Sequence, residues 1–418
     1  MGPFYILVLV LLLAVYGWIF YNIPILAVGV WHMRRSGWRR GELASSDMDG
    51  LPTFSIVVPV RDEERVVGRL LEGLLRLDYP VGKREILIVE DGSSDRTVEI
   101  CRDYVRRYSG QVRLLHNCVS NGKPSALNYA LNYAKGDILA FFDADNVPEP
   151  DVLRRAVEYF KDASVAAVQG RLNIINAEEN MLAKFVSYEE AAWCEAYLRG
   201  KDVLGLFVHM KGSCMFVGRR VLDEMEGFDE EALSEDMELS VRLTEGGYRV
   251  RYASDVCSWQ EAPSKVGQLF NQRTRWFRGT MEVALKYGRL MAKPNWKNLD
   301  AEVTLTGPFI LMASLTSYFL AFYASFVSLS FDSAFQFLMQ FSAFATSVMV
   351  VFGGLALAYV SKPRRLANLF WLPFIYFYWS LQVFIALYAG LLMLLRKPRA
   401  WLKTEKMGTV AVKKGLCL

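Results

Sequence analysis

Residues 137–145 read DILAFFDAD, a run of five apolar residues that ends in the acidic sequence Asp-Ala-Asp. Two further apolar stretches precede it, FSIVVPV at 54–60 and EILIVED at 85–91, and helical patterns occur at 63–77 and 124–134. Nearly continuous apolar strands that alternate with helices are typical of a mainly parallel sheet with helices on both faces. The sequence therefore predicts a domain of the α/β class.

Three aspartates stand at the ends of these strands, Asp91, Asp143 and Asp145. Open α/β sheets bind their ligands at the edge where the carboxyl ends of the strands meet. A divalent cation such as Mg²⁺ prefers carboxylate oxygens together with substrate phosphates, and Lys123 in the loop at 121–123 would bring an ammonium to the same edge. The pattern indicates a nucleotide diphosphate site, while aspartates that only form turns and caps would give the same residues.

A further acidic position, Ser234-Glu235-Asp236, precedes an amphipathic helical pattern at 237–244. An acidic residue at the start of a helix is most often a cap. Taken by itself, this position therefore favours a structural role for Asp236.

Residues 268–276 read QLFNQRTRW, and on a helix Gln272, Arg275 and Trp276 share one face because they are spaced i, i+3 and i+4. The guanidinium of Arg275 suits phosphate oxygens, and the indole of Trp276 suits stacking on a ring. A helix lying at a membrane surface, with Trp and Arg at the level of the lipid headgroups, would show the same pattern.

The apolar residues are concentrated near the two ends of the chain. Residues 4–31 carry no charge and are followed by Arg34, Arg35, Arg39 and Arg40, which predicts an uncleaved anchor helix whose basic end lies in the cytoplasm. Three more apolar blocks, at 304–329, 335–360 and 366–395, predict a C-terminal group of membrane helices. Buried helices of a large soluble protein are the alternative.

The topology of the last block stays open at the level of sequence. A single crossing by residues 366–395 would leave the basic residues at 396–399 outside the cell, against the positive-inside rule. Pro373 lies within this block and could divide it into an interfacial piece and a re-entrant piece.

Composition excludes several classes of protein. The 418 residues are 53% hydrophobic, 13% aromatic and 22% charged, which excludes both a disordered chain and a pure bundle of membrane helices. A net charge of +4 is too small to indicate nucleic acid as a partner. The six cysteines and three histidines show no zinc spacing.

The motifs occur in an order that resembles a known family. They are, in sequence, residues 59–64, Glu90-Asp91-Gly92, Gly122-Lys123, Asp143-x-Asp145, Glu235-Asp236 and Gln272-x-x-Arg275-Trp276. This resembles the membrane-embedded family 2 glycosyltransferases of the D, D-x-D, (T/S)ED, Q-x-x-R-W type, which include cellulose, chitin, hyaluronan and poly-N-acetylglucosamine synthases. The resemblance covers residues 52–290 and the flanking apolar helices, and it implies a GT-A-like fold between an N-terminal transmembrane helix and about three C-terminal membrane helices.

The resemblance also implies a division of the chain into segments. We expect an N-terminal anchor, a polar linker, a cytoplasmic catalytic domain, interfacial helices with the Q-x-x-R-W motif, membrane helices and a basic tail, at residues 1–33, 34–53, 54–263, 264–300, 301–395 and 396–418.

Residue roles follow from the same resemblance. Asp236 would be the general base, with Glu235 beside it, and Asp145 would bind Mg²⁺ or Mn²⁺. The nucleotide-sugar would contact Pro59, Glu63, Asp91, Lys123, Asp143, Gln272 and Arg275. The acceptor would contact Trp276 and the segment Gly212, Ser213 and Cys214.

The implied function is inverting, metal-dependent and processive transfer of a sugar, from a UDP-sugar such as UDP-GlcNAc or UDP-Glc, to a growing β-linked polysaccharide at the membrane. The alternative is transfer of one sugar to a membrane lipid, and a third hypothesis is a transporter or scaffold with a degenerate catalytic domain. The expected partners are the donor, a saccharide or lipid acceptor, membrane lipids, and a second copy or accessory subunit. The expected location is the cell membrane.

Overall fold

The computed structural model describes residues 3–36, 50–117, 122–288, 295–326, 372–399 and 404–408, together with the single residues Gln336, Gln340, Phe344 and Phe370. The predicted linker at 37–49, most of the apolar block at 335–360 and residues 409–418 lie outside the described residues.

One sheet forms the centre of the chain, and within the described residues it has eight strands in the order β3-β2-β1-β4-β7-β6-β8-β5. The strands are β1 Phe54–Val60, β2 Arg84–Glu90, β3 Val112–His116, β4 Ile138–Phe141, β5 Val147–Pro148, β6 Val165–Ile174, β7 Met215–Gly218 and β8 Arg249–Gln260. Strands β3, β2, β1 and β4 pair in parallel, whereas β7 is antiparallel to both β4 and β6. The α/β class is confirmed, with a sheet that is parallel in its first half and mixed beyond it.

The described residues form the helices α1 Pro3–Ser36, α2 Val67–Leu75, α3 Thr97–Arg107, α4 Lys123–Leu131, α5 Val152–Phe160, α6 Met181–Ala192, α7 Arg199–Val203, α8 Arg219–Glu224, α9 Glu235–Glu245, α10 Val266–Tyr287, α11 Trp296–Leu305, α12 Gly307–Phe326 and α13 Leu372–Leu394. Most of these helices connect or cover the strands, and α1, α12 and α13 are apolar helices outside the sheet. A π-helix, Trp193–Leu198, joins α6 to α7.

The alternation of side chains along β1 divides the core into two layers. Ile56 and Val58 face the layer that holds Leu70 and Leu71 of α2. Val57 faces the opposite layer, which holds Leu127 of α4. Because successive residues of a strand point to opposite faces, a strand covered on both sides must be apolar throughout, which is why FSIVVPV shows no polar alternation.

The parallel strands bring the site residues to one edge of the sheet. Strands β1, β2 and β4 end at this edge, one or two residues before Asp62, Asp91 and Asp143. The next helices then start close to that edge, and α4 begins at Lys123 after Gly122, whose φ of +89° suits glycine. The edge therefore gathers acidic residues and an amine, as the sequence predicts.

Two described helices are long and apolar enough to cross a membrane, over Tyr5–Arg35 and Pro373–Leu394. Helix α1 has 34 residues and is about 51 Å long, whereas the hydrocarbon core of a bilayer is about 30 Å thick. The part of α1 that includes Ile25 and Gly29 packs on the α/β domain. There Gly29 lies against the carbonyl of Ala196, and Gly200 lies against that of Ile25, so closely that neither position has room for a Cβ.

The residues that follow α13 return to the α/β domain. The Nη2 of Arg278 donates to the carbonyl of Lys397 at 2.7 Å, and the Nε of Arg399 lies 3.1 Å from a carboxylate oxygen of Glu282. Pro373 is the second residue of α13 and does not divide it, because a proline in the first turn of a helix interrupts no intrahelical hydrogen bond. The segment after α13 therefore packs against α10.

Candidate active site

The amine of Lys123 is the centre of a compact charged cluster. Its Nζ lies 2.8 Å from Oδ1 of Asp143 and 3.2 Å from Oε1 of Glu235, and it donates to the carbonyl of Gly212 at 2.9 Å. These partners come from the end of β4, the start of α9 and the loop before β7. One buried cation thus joins three of the predicted motifs.

Burial and neighbouring charges have opposing effects on the pKa values of Lys123 and Asp236 in this cluster. Burial lowers the pKa of Lys123, but the carboxylates of Asp143 and Glu235 outweigh it and hold the pKa above the usual range. Asp236 behaves in the opposite way, because burial and the negative charge of Glu235 raise its pKa to about 7 against the pull of Lys123. A partly exposed carboxyl group that titrates near neutrality is suited to accept a proton.

Gly212 makes the close approach of these groups possible. Its φ is +74°, and a Cβ at this position would lie 3.0 Å from Nζ of Lys123 and 3.1 Å from Oδ2 of Asp236. The next residue, Ser213, accepts a hydrogen bond from the backbone N–H of Asp143 at 3.0 Å. Cys214 is buried with its sulfur against Gly170, so it does not present its side chain to the cluster.

Asp145 forms a second acidic position next to the first. It is buried, and its Oδ2 lies 2.6 Å from Nζ of Lys406 and accepts the backbone N–H of Glu261 at 3.0 Å. Burial raises the pKa of Asp145, but the ammonium of Lys406 outweighs it and holds the pKa below its usual value. Lys406 also interacts electrostatically with Glu63 and Asp143, so its ammonium lies among the carboxylates of the site.

The segment that carries Lys406 is anchored on Glu261. The backbone N–H groups of Met407 and Gly408 donate to Oε2 of Glu261 at 3.1 and 3.3 Å. The other oxygen of this carboxylate lies 2.9 Å from Nη1 of Arg69, and Nη2 of Arg69 donates to the carbonyl of Asp145. The C-terminal segment is therefore part of the catalytic edge in this structure.

The donor set at Asp145 fits a divalent metal that is bound jointly with substrate phosphates. Within the described ranges, no three His, Cys, Asp or Glu side chains are grouped closely enough to hold a metal by themselves. Mg²⁺ is usually held by one or two carboxylates together with substrate phosphates and water. Asp145 offers one such carboxylate, at a position that favours a cation because the Lys406 ammonium lies beside it.

The other predicted donor residues lie along the same edge. Asp91 is buried, and its carboxylate accepts a hydrogen bond from the side-chain amide of Asn117 at 2.8 Å. Its backbone N–H donates to the carbonyl of Val60, which places it directly beside the end of β1. The backbone N–H of Glu63 donates to Thr97 at 2.7 Å, and Pro59 lies within β1.

Helix α10 carries the Q-x-x-R-W residues Gln272, Arg275 and Trp276 and packs against the start of α9. A Cβ on Gly279 would overlap Oγ of Ser234 and lie 3.0 Å from its Cβ and 3.1 Å from its backbone nitrogen. Since Ser234 directly precedes Glu235 and Asp236, this contact fixes α10 relative to the cluster.

The structure thus brings Lys123, Asp143, Gly212, Ser213, Glu235 and Asp236 into one cluster, with Asp145 beside it. Sequence reasoning missed the basic and acidic residues that complete the edge, Arg69, Glu261 and Lys406. Lys406 lies in the basic C-terminal tail, where the sequence shows no motif that indicates a site. Glu261 follows β8, a strand that was not predicted.

Comparison with known proteins identifies the family. The profile described as glycosyltransferase like family 2 matches residues 52–279, more than half of the chain. The probable glycosyltransferase YdaM of Bacillus subtilis is 27% identical over 381 residues, which cover 86% of this chain and 88% of that protein.

Two kinds of relative have names that state a product. The beta-monoglucosyldiacylglycerol synthase of Synechocystis sp. is 33% identical over 59% of this chain and 52% of its own length. The poly-beta-1,6-N-acetyl-D-glucosamine synthase of Staphylococcus epidermidis is 28% identical over 61% of each chain. The match therefore spans only about half to three fifths of these two relatives.

Among solved structures, the mannosyltransferase PcManGT from Pyrobaculum calidifontis, in complex with GDP-Man and Mn²⁺, superposes with a TM-score of 0.62. The match covers 94% of this chain and all of that one, at 19% identity, and it shows that the two share a fold. The predicted GT-A-like fold is thereby confirmed. Because the family profile matches residues 52–279, more than half of its length, the chain belongs to the glycosyltransferases of family 2.

Proposed function

We propose that this enzyme transfers a sugar from a nucleotide-sugar to a hydroxyl group of an acceptor at a membrane, with inversion at the anomeric carbon and Asp236 as general base. The observation that carries the proposal is the position of Asp236. It is a partly exposed carboxyl group with a pKa of about 7, next to Gly212 and the Lys123 ammonium.

In the proposed reaction, Asp236 accepts the proton of the acceptor hydroxyl while the acceptor oxygen forms a bond to the anomeric carbon. The bond from that carbon to the diphosphate breaks, and the nucleoside diphosphate leaves with the electron pair. Because the attack is in line, the configuration inverts, and an α-linked donor gives a β-linkage. Lys123 and Arg275 provide positive charge for the departing diphosphate.

Asp91, Glu63 and Pro59 would hold the nucleoside side of the donor, and Asp143 and Asp145 the diphosphate side, with Gln272 closing over it. A divalent cation bound at Asp145 would neutralise charge on the diphosphate. The Mn²⁺ and GDP-Man named for PcManGT support this assignment.

The acceptor we propose first is a growing β-linked polysaccharide. Its support is the similarity to the poly-beta-1,6-N-acetyl-D-glucosamine synthases and the Q-x-x-R-W helix next to apolar helices. A second candidate is a single transfer to a membrane lipid, which is favoured by the higher identity, 33%, to the beta-monoglucosyldiacylglycerol synthase.

Two apolar helices, α1 and α13, and the basic pair Arg34 and Arg35 at the end of α1 support a location in the cell membrane. By the positive-inside rule, the catalytic domain then lies in the cytoplasm.

The test uses the full chain in lipid nanodiscs with UDP-glucose, UDP-N-acetylglucosamine and GDP-mannose in separate reactions. Released nucleotide identifies the donor, and the size of the labelled product separates the acceptors. A ladder of long chains supports polysaccharide synthesis, whereas a lipid with one sugar replaces it by the second candidate. A nearly normal rate of sugar transfer in the Asp236→Asn variant contradicts the proposed base.

A further inference from the structure

Two adjacent glutamates of α6 hold the two acceptor-side segments of the site. Glu190 pairs with the amine of Lys211, the residue before Gly212. Glu189 pairs with Arg273 of α10, with 2.6 Å between its Oε2 and Nη2 of the guanidinium. Helix α6 thus connects the Gly212 loop with the helix that carries Trp276.

Arg273 lies against Trp276. Its guanidinium carbon is 4.4 Å from the centroid of the indole ring, within the range of a cation–π interaction. The residue is buried, so its charge is compensated by protein groups rather than by solvent, chiefly by Glu189 and also by Tyr378 and Glu190. Because the guanidinium is planar and its orientation is fixed by the carboxylate, Glu189 also fixes the face that Arg273 offers to the ring.

The same carboxylate reaches the apolar helix α13. The hydroxyl of Tyr378 donates to Oε2 of Glu189, and Nε2 of Gln382 donates to the hydroxyl of Tyr378 at 2.9 Å. Tyr378 and Gln382 are both buried although they belong to a helix of otherwise apolar character. Polar side chains that face the interior at such a position commonly serve a function.

A purely structural link between these helices would not require charge. The ring of Tyr378 already packs 5.9 Å from that of Phe185 and lies in an apolar cluster with Ile375 and Leu269. A buried ion pair loses solvation that apolar side chains of the same size would not lose. The charged pair does, however, fix the orientation of the Arg273 guanidinium, and the ring that this guanidinium contacts is that of Trp276.

We propose that Glu189 is a positioning residue that orients Trp276 towards the acceptor through Arg273, and that Tyr378 of α13 sets the orientation of Glu189. The proposal rests on the proposed function, in which Trp276 contacts the acceptor. It assigns an apolar helix outside the Q-x-x-R-W motif to acceptor binding.

The experiment compares Tyr378→Phe and Arg273→Lys with wild type, as full-length proteins in nanodiscs. The acceptor probes are dioleoylglycerol and a hexamer of β-1,6-linked N-acetylglucosamine, and each variant is measured with whichever probe the wild type uses. Loss of a hydrogen bond to a charged group should raise the acceptor KM roughly tenfold. The donor KM should stay unchanged, and the fraction of donor hydrolysed by water should rise.

Tyr388→Phe is the matched control, because Tyr388 lies on the same helix and its ring packs 5.1 Å from that of Phe270 of α10. A folded Glu189→Gln variant should show the same rise in acceptor KM as Tyr378→Phe. If Glu189→Gln does not fold, Tyr378→Phe alone tests the positioning role. Equal acceptor KM values and equal hydrolysis in wild type and Tyr378→Phe overturn the positioning role. A wild type that turns over donor but uses neither probe overturns the proposed acceptors instead.

Discussion

Asp236 is influenced by two charges of opposite sign within one small cluster. Burial and Glu235 favour its neutral form, whereas Lys123 favours its carboxylate, and the balance gives a pKa of about 7. Since only the carboxylate can accept a proton, the rate of transfer should fall as the pH drops through this value and level off above it. A pH profile of kcat/KM with the preferred donor measures this.

Replacement of Asp236 by asparagine should remove the base and keep the shape of the side chain. We expect the rate to fall by about 10²–10⁴-fold, the usual contribution of a general base, with little change in the donor KM. Glu245→Gln, at the exposed end of the same helix, is the control and should leave the rate unchanged. A nearly normal rate in Asp236→Asn would mean that another group accepts the proton.

Lys123 should control the titration of its neighbours. In Lys123→Met, Asp143, Glu235 and Asp236 would lose the shared cation, and like charges would disfavour the carboxylate of Asp236 further. The midpoint of the pH profile should therefore move to higher pH, in addition to a loss of rate. Lys123→Arg keeps the charge and should move the midpoint less. An identical midpoint in all three proteins would show that Lys123 does not act on the base.

At the scale of elements, the contact between α10 and the turn before α9 depends on the absence of a side chain at Gly279. A valine there would overlap Ser234 and push the turn that carries Glu235 and Asp236. We expect Gly279→Val to lower both kcat and the Tm, because the displaced turn carries the catalytic carboxylates. Gly267→Val is the matched control, since it lies on the same helix with no heavy atom within 4 Å of the added Cβ. Equal effects of the two substitutions would contradict a role for this contact.

The strands that could be predicted from sequence are those buried on both faces. The stretches at 54–60 and 85–91 correspond to β1 Phe54–Val60 and β2 Arg84–Glu90, and 137–145 contains β4 Ile138–Phe141. Helix α4 likewise ends within three residues of its predicted end. Periodicity overestimated α2, which begins at Val67 because residues 63–66 form a turn.

The second half of the sheet gave no such signal. Strand β6 carries buried polar residues, Gln169 and Arg171, and its pairing with β8 shifts register between Gly170 and Arg171. Gln169 can be buried because its amide donates to the carbonyls of Gly170 and Ser213. Such compensation is invisible in an apolar pattern, since it depends on partners far away in sequence.

The site likewise contains residues that could be predicted from sequence and residues that depend on tertiary contacts. Acidic motif residues could be predicted because each follows a recognisable strand or begins a helix. Lys406 could not, because its partner Asp145 stands 261 positions earlier and the two meet only once α13 has returned the chain to the sheet. Arg273 was within a predicted motif, yet its pairing with Glu189 requires the tertiary position of α6.

At the scale of the whole molecule, a fully buried ion pair lies where α1 and α11 meet the α/β domain. The amine of Lys201, in α7, lies 2.8 Å from Oδ2 of Asp300 in α11, and both side chains are completely buried. Asp300 also accepts hydrogen bonds from the hydroxyl of Tyr21 in α1 and from the backbone N–H of Phe207. Three separate parts of the chain therefore meet at one carboxylate.

Lys201→Met should leave this carboxylate buried without its counter-charge. Removal of one partner of a buried pair costs about 3–5 kcal/mol, so the Tm in nanodiscs should fall clearly and α1 should become more accessible to protease. Lys161→Met is the control, because its amine pairs with Glu158 at 2.7 Å where both side chains are exposed, and an exposed ion pair contributes only about 0–1 kcal/mol. In the double variant Lys201→Met, Asp300→Leu, the uncompensated charge is gone, and part of the stability should return. If Lys201→Met and Lys161→Met lowered the Tm equally, the Lys201–Asp300 pair would not be the junction between α1 and the catalytic domain.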